Sequence, residues 1–278
     1  MHAGDVDAQI AAHYGSDDLT QAILAALAAA GKADHRLTPD DLAPIDQFHT
    51  RGTVATLELA ERAGVTAATR VLDMGGGIGG AARLLAVTFD CQVDVLDLTE
   101  AYCEVGRLLT ARSGLADRIT FQHGSATDPP YPDAQFDLVW MQHSTMNIAD
   151  KARLFREARR VLRPGGRLAL HEVLAGLLPE VCFPVPWARV ATASFLCPPK
   201  ELHAQLVAAG FAELVWHEET EAAARWFQQR LHKPADPGAA SPLGLPLLLG
   251  PEVPTMLRNL LRNLEEQRVR VVQAIFAC

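Results

Sequence analysis

Five glycines crowd into six positions from Gly75 to Gly80, directly behind the apolar run Val71-Leu72-Asp73-Met74. Such a run reads as a buried strand entering a turn, with a helix starting beyond it. Residues without a Cβ let the backbone close on a ligand, and the first turn of a helix offers N–H groups with no internal partner. Two ligand classes suit that geometry. Gly75, Gly77 and Gly80 satisfy the GxGxxG spacing of a dinucleotide turn, and Asp97, closing the next apolar run, could hold a ribose diol in either class. Asp73 separates them. A carboxylate ahead of the turn repels a diphosphate laid across it, but it accepts hydrogen bonds from a cationic, amine-bearing ligand.

A second group of reactive side chains follows the apolar run Phe136–Met141. In Gln142-His143-Ser144-Thr145, His143 could deprotonate a substrate or orient it, since its ordinary pKa lies near 6.5; the alternative is a histidine that braces backbone. His49 and the His171-Glu172 pair are further candidates for a base, which gives His143, His49 and Glu172 as the catalytic set. The other histidines read as surface or packing residues. Trp187, Phe183, Phe195 and Trp216 could shape an apolar pocket or simply pack in the core. Arg51 and Arg189 could clamp a carboxylate or sit in ion pairs. Tyr14 could cap a ligand from the N-terminal region. The five cysteines are scattered, with no CxxC pair and no Cys/His cluster, so no metal is expected.

These side chains need a scaffold that brings strand ends together. Arg70–Met74, Gln92–Leu96, Ile119–Gln122, Phe136–Met141 and Arg167–Glu172 have strand patterns. Gly79–Val87, Glu100–Arg112 and Asp150–Leu162 between them carry helical spacing. Alternation of this kind implies right-handed crossovers and a parallel sheet covered on both faces, a doubly wound α/β fold. Before it, Asp17-Asp18 starts a helix that Gly31 stops, Thr38-Pro39-Asp40 starts another, and Ala55–Ala63 leads into the central zone. After it come the proline-rich Phe183–Trp187, a helix at Pro198–Ala209, a strand at Phe211–Trp216, a helix at Glu219–Leu231, a loop rich in Pro and Gly (232–251), a helix from Pro254 to about Glu266 and a last strand at Val269–Phe276.

The net charge is −8 and the pI about 5.7. That balance disfavours a surface built to grip a nucleic-acid backbone, which needs a basic face. No apolar run reaches the roughly 18 residues of a membrane span, and the acidic N-terminus is not a signal peptide. A cytoplasmic chain is expected, its odd cysteine count suiting a reducing compartment.

With Phe136-Asp137-Leu138-Val139 and Arg160-Val161-Leu162-Arg163-Pro164-Gly165-Gly166 in register behind the glycine turn and Asp97, the chain resembles class I S-adenosylmethionine-dependent methyltransferases. Within them it is similar to the sarcosine/dimethylglycine N-methyltransferase group and related bacterial small-molecule methyltransferases, through Asp46-Gln47-Phe48-His49-Thr50-Arg51-Gly52, Gly77-Ile78-Gly79-Gly80, Asp97-Leu98-Thr99 and Met146-Asn147-Ile148-Ala149-Asp150-Lys151. The resemblance implies a Rossmann-like seven-stranded sheet, mostly parallel with the last strand antiparallel. It implies an N-terminal helical cap over 1–54 and a methyltransferase domain over 55–278, with a substrate-wall insertion around 174–198. It also implies S-adenosylmethionine as cofactor, leaving as S-adenosylhomocysteine. Gly75 and Gly77 would then line the methionine portion, Asp97 the ribose hydroxyls, Leu98 the adenine face and Ser125 the adenine edge, with Asp73, Gly79, Ala126, Gln142 and His143 completing the site. At Ser125 the group usually carries an aspartate, so adenine binding would be weaker. The acceptor would be a small metabolite, an amine or a secondary-metabolite scaffold methylated on N, C or O, with no nucleic acid or membrane as partner and a homodimer left open. The alternatives are a nucleic-acid or tRNA methyltransferase, counted against by the missing Asn/Asp-Pro-Pro-aromatic motif, and a repurposed S-adenosylmethionine-binding protein.

Overall fold

The computed structural model describes residues 19–178, 180–232 and 242–278. Asp17-Asp18 and Tyr14 therefore lie outside the described residues. The chain first lays down three helices, α1 (Leu19–Ala29), α2 (Pro39–Asp46) and α3 (Gly52–Ala63). It then alternates β1 (Arg70–Met74), α4 (Gly80–Phe89), β2 (Gln92–Asp97), α5 (Glu100–Arg112), β3 (Ile119–His123), β4 (Phe136–Gln142), α6 (Lys151–Val161) and β5 (Leu162–Ala175). It finishes with α7 (Pro199–Ala208), β6 (Ala212–Glu218), α8 (Thr220–His232), the short α9 (Pro246–Leu249), α10 (Val253–Glu265) and β7 (Val269–Ala277).

The seven strands form one sheet in the order β3-β2-β1-β4-β5-β7-β6, as expected for a doubly wound fold. Strands β1 to β5 pair in parallel, and β7 runs antiparallel between β5 and β6. Strand β5 is longer than its apolar core predicts. Leu162 pairs with Phe136 before the Pro-Gly-Gly turn, and β7 follows β5 from Arg167 to Ala175.

Successive strand residues point to opposite faces, and the packing follows that alternation. Val71, Leu138 and Trp140 pack with Leu59, Ala82, Leu85 and Cys103 of α3, α4 and α5, while Leu72, Val139 and Met141 pack with Leu154, Phe155, Leu202 and Leu206 of α6 and α7. A third cluster joins Leu19, Ile23, Leu42 and Ile45 of the first helices to Ile78, Tyr102, Leu248 and Met256, placing those helices beside the glycine turn.

Thr38-Pro39-Asp40-Asp41 starts α2 as a capping box. The Thr38 hydroxyl accepts from Asp41 N–H, the Asp41 carboxylate accepts from Thr38 N–H, and Pro39 stands where no N–H is needed. At its other end the Asp46 carboxylate meets the Arg83 guanidinium of α4 in a fully buried pair, Oδ2 to Nε 2.9 Å, with Arg83 also donating to Thr110 Oγ1. Gly80 is required here, because a Cβ would stand 2.2 Å from the Asp46 carbonyl oxygen. The first helices thereby sit directly on the start of α4.

Candidate active site

Between β1 and β4 the strand order reverses direction, and the carboxyl ends of parallel strands diverge there to leave a crevice. A cavity of about 560 Å³ opens at that point. Its walls include Asp73, Gly75, Gly76 and Gly77 behind β1, Asp97 and Leu98 behind β2, Ser125 and Ala126 behind β3, and Gln142 and His143 at the end of β4. The sequence reading thus converges on one place for all but two of its site residues. Gly79 is not in the wall; it stands at the N-terminus of α4 against Phe121. Glu172 lies beneath the wall.

Gly77 has φ +58°, a left-handed conformation that costs other residues about 1–2 kcal/mol, and the nearest atom to a Cβ there is Tyr102 Cδ2 at 3.8 Å. Its N–H donates to Asp97 Oδ2 (2.8 Å), and Asp97 Oδ1 accepts from Thr99 N–H (2.9 Å). The Asp97 carboxylate so fixes the turn while keeping lone pairs for a further donor, because an ionised carboxylate has about four acceptor directions. Burial pushes its pKa up, against the opposing pull of those backbone N–H groups.

Asp73 is 2 % exposed and its Oδ2 has no hydrogen-bond partner. Burial first, and the Asp97 carboxylate second, push its pKa up to about 7. A buried carboxylate without a cation is costly, so a cationic ligand would suit this position. Asp73 and Asp97 together make this end of the cavity fit a ligand with a positive charge and hydroxyl donors, and fit a diphosphate badly. The Ser125 hydroxyl bonds within its own loop, to Thr127 N–H and Thr127 Oγ1.

Three imidazoles meet behind β4 and β5. Ring centroids of His143 and His171 are 4.8 Å apart, and His49 lies 6.1 and 6.0 Å from them. Burial lowers all three pKa values, His49 to about 3; His49 lowers His143 further, and His143, His49, Arg51 and Arg62 lower His171 further. The cluster is therefore neutral. His143 lines the cavity with φ +54°, an unusual backbone for a non-glycine residue that recurs at functional positions. His49 bonds through Nε2 to Thr56 Oγ1 (2.9 Å), leaving Nδ1 buried without a partner. Among the described residues no group of three or more His, Cys, Asp or Glu is placed to hold a metal ion.

Glu172 does not reach the cavity. Its carboxylate accepts from Ser144 N–H and Thr145 N–H, each at 3.2 Å, and burial raises its pKa to about 7. It braces the turn that presents His143. Lys151, also buried, donates to the carbonyls of Thr145, Ile148 and Phe195, and the Asn147 amide donates to the Trp187 and Ala193 carbonyls. The loop behind β4 is in this way fastened to the segment 187–195.

That segment supplies Trp187 and Phe195 to the cavity wall, where Trp226, Phe227, Leu257 and Leu260 of α8 and α10 join them. The sequence reading missed these helical residues. Phe183 packs behind the wall, and Trp216 lies elsewhere, against His203 and Phe276 near β6. Arg51 and Arg189 are no free carboxylate clamp. Arg51 pairs with Glu58 and Glu219, both at 2.8 Å, and Arg189 pairs with Glu252 while donating to Leu249 O. Among the described residues Arg230 is the sole Lys or Arg of the wall, exposed over the Trp226 ring at 5.1 Å.

Residues 72–170 match the family model of a methyltransferase domain. Over 132 residues the chain is 36% identical to the glycine/sarcosine/dimethylglycine N-methyltransferase of Actinopolyspora halophila, a stretch covering 48% of this chain and 23% of that protein. Over 140 residues it is 36% identical to the 27-O-demethylrifamycin SV methyltransferase of Amycolatopsis mediterranei, covering 50% of each. The chain thus spans about half or less of the length of these curated relatives. In structure it is similar to geranyl diphosphate C-methyltransferase from Streptomyces coelicolor A3(2), with a TM-score of 0.70 at 16% identity over 99% of this chain and 98% of that one. It is also similar to the [4+2]-cyclase SpnF, with a TM-score of 0.65 at 22% identity over 87% of this chain and 97% of that one. The resemblance read from the glycine turn and the later motifs is borne out in sequence, and the Rossmann-like fold in structure.

Proposed function

We propose that the chain is an S-adenosylmethionine-dependent methyltransferase acting on a small molecule. One observation carries this reading: the buried Asp73 carboxylate, its Oδ2 without a partner, stands beside the glycine turn, with Asp97 fastening that turn. A cationic donor with a ribose suits this pair, and a dinucleotide diphosphate does not. When bound, the cofactor supplies a methyl group on a positively charged sulfur. Asp73 balances positive charge, Gly75 and Gly77 admit the chain of the ligand, Asp97 accepts from the ribose hydroxyls, and Leu98, Ser125 and Ala126 border the adenine. Gln142 and His143 close the site where the acceptor enters, and the apolar wall excludes water from it, so that positioning supplies much of the rate. In this reading 1–54 caps the site, 55–278 forms the methyltransferase domain, and the segment around 174–198 walls the acceptor.

A cytoplasmic setting is supported by the five free cysteines, and among the described residues no helix is long and apolar enough to cross a membrane. Net charge of −8 argues against a nucleic-acid acceptor. The likeness to a [4+2]-cyclase favours one second reading, a repurposed chain that binds the cofactor without transferring its methyl group. Calorimetry tests the proposal: S-adenosylmethionine and S-adenosylhomocysteine bind, NAD does not, and Asp97→Ala weakens binding. Binding of NAD alone refutes it. Cofactor binding with no S-adenosylhomocysteine formed across a broad acceptor panel selects the repurposed reading instead.

A further inference from the structure

A run of hydrogen bonds leads from the core to His143, and its direction follows from a single donor-only group. The Trp140 indole N–H can only donate, and it faces Gln142 Oε1 at 3.2 Å. That fixes the amide orientation of Gln142, so its NH2 donates to His171 Nδ1 at 3.1 Å. A neutral His171 accepting at Nδ1 carries its proton on Nε2. This N–H points to Thr50 Oγ1 at 3.2 Å, with Glu219 Oε2, otherwise unpartnered, 3.6 Å away. Thr50 Oγ1 in turn stands 3.3 Å from His143 Nε2. Thr50 is 1 % exposed, so if it accepted from both rings its own hydroxyl proton would be buried with no acceptor. Thr50 therefore donates to His143 Nε2, and the remaining imidazole proton of His143 sits on Nδ1. Among the described residues no protein group pairs with that Nδ1, and it is not sealed from the cavity as His49 Nδ1 is.

We infer that the Trp140–Gln142–His171–Thr50 chain holds His143 as a neutral Nδ1–H tautomer, and that the acceptor is an uncharged, largely apolar molecule whose oxygen takes that hydrogen bond. The acceptor part rests on the methyltransferase reading above; the tautomer does not. The surroundings agree with both. Arg51, the cation nearest the cluster, is held by Glu58 and Glu219, and the aromatic and leucine side chains of the wall offer no buried cation to a carboxylate. An aminocarboxylate such as sarcosine would find only the exposed Arg230 at the wall and no buried cation beside the cluster.

The test uses the full chain with 15N-labelled histidine at pH 7. Long-range 1H–15N correlations are expected to show His171 protonated at Nε2 and His143 at Nδ1, with no ligand added. Thr50→Val is expected to mix the His143 tautomers and Thr50→Ser to restore the single form. In the protein saturated with S-adenosylhomocysteine, 1-naphthol is expected to shift the His143 Nδ1–H signal and sarcosine to leave it in place. Affinity for 1-naphthol is expected to fall roughly tenfold in Thr50→Val and to recover in Thr50→Ser. A His143 protonated at Nε2 overturns the tautomer. A signal moved by sarcosine, or unmoved by 1-naphthol, overturns the acceptor class. Failure of S-adenosylhomocysteine to bind refutes the methyltransferase reading on which the acceptor class rests, and the ligand-free spectrum still decides the tautomer.

Discussion

Replacing Asp73 by Asn separates a residue that holds the fold from one that holds a charged ligand. In the ligand-free protein the Asp73 carboxyl is pushed from its ordinary 3.8 to about 7, by burial first and by Asp97 second. At ~1.36 kcal/mol for each factor of ten, ionising this group in the fold costs about 4 kcal/mol more than in the unfolded chain. Below pH ~3.8 it is protonated in both states and costs nothing. As pH rises the unfolded chain loses its proton first, the penalty grows up to about pH 7, and above that it is constant. Asn removes the penalty but leaves a buried amide with unmet hydrogen bonds, worth ~1–3 kcal/mol, so a net gain of about 1–3 kcal/mol is expected at pH 8. For a domain of this size that is a rise in Tm of several degrees, at ~2–4 °C per kcal/mol, and it should shrink as pH falls and turn into a small loss by about pH 4, where only the cost of the amide remains. Affinity moves the other way. Loss of a charge-assisted contact of ~1.5–3 kcal/mol weakens S-adenosylmethionine binding by roughly 10- to 100-fold. Wild-type binding is also expected to release close to one proton at pH 6 and almost none at pH 8.5, read by calorimetry in buffers of different ionisation enthalpy. Asn with unchanged affinity, or no proton release in the wild type at pH 6, would refute the assignment of a cation to this carboxylate.

Arg83→Leu strands the Asp46 carboxylate and is expected to cost ~3–5 kcal/mol in urea unfolding at pH 8. Burial already raises the Asp46 pKa, so the loss should shrink as pH falls and Asp46 protonates; a pH-independent loss would contradict that. Gly80→Ala forces a Cβ against the Asp46 carbonyl and should strongly destabilise the protein, whereas Gly77→Ala should fold at a cost of about 1–2 kcal/mol and bind S-adenosylmethionine more weakly. Similar melting of the two variants would show that the contact at Gly80 relaxes freely. Lys151→Met removes an ammonium that holds two carbonyls of the loop behind β4, Thr145 and Ile148, to the Phe195 carbonyl of the wall. Turnover of an acceptor is expected to drop with cofactor affinity within about twofold, since no Lys151 contact reaches the glycine turn; equal losses in both would place Lys151 at the cofactor end.

The cofactor half of the cavity was legible because its determinants are local. Strand β1 and helix α5 have the bounds their apolar spacing predicts, and a turn of glycines between a strand and a helix has few conformations open to it. Asp73 and Asp97 declare themselves by position, one inside an apolar run and one closing the next. The acceptor half is made differently. Trp226, Phe227, Leu257 and Leu260 come from two helices late in the chain, and amphipathic spacing reveals that a face is buried without revealing what it faces. Trp216 shows the converse, an aromatic that looks equally suited to the pocket but packs against Phe276 on the sheet. Arg51 and Arg189 could not be told from a carboxylate clamp until Glu58, Glu219 and Glu252 were seen beside them.

The histidines carry this furthest. Whether His143 takes a proton or offers one is a question about tautomer, and its ring is met by a residue far along the chain. Thr50 lies 93 residues away along the chain, and His171 lies 121 residues from Thr50. The group that sets the direction is the Trp140 N–H, three positions before His143, acting through Gln142, and it does so because an indole has no lone pair to accept with. Replacing Gln142 by Glu therefore makes a sharper case than removing the histidine. A carboxylate accepts from Trp140 and also from His171, so His171 must move its proton to Nδ1 and accept from Thr50 at Nε2. The Thr50 hydroxyl then points away from His143, and His143 is left to protonate Nε2 and present a bare Nδ1 lone pair to the cavity. A bound oxygen that accepted a hydrogen bond in the wild type would face that lone pair in Gln142→Glu. Weaker 1-naphthol binding with the His143 tautomer inverted is the expected result, and unaltered tautomers in Gln142→Glu would show that direction is not transmitted along this chain.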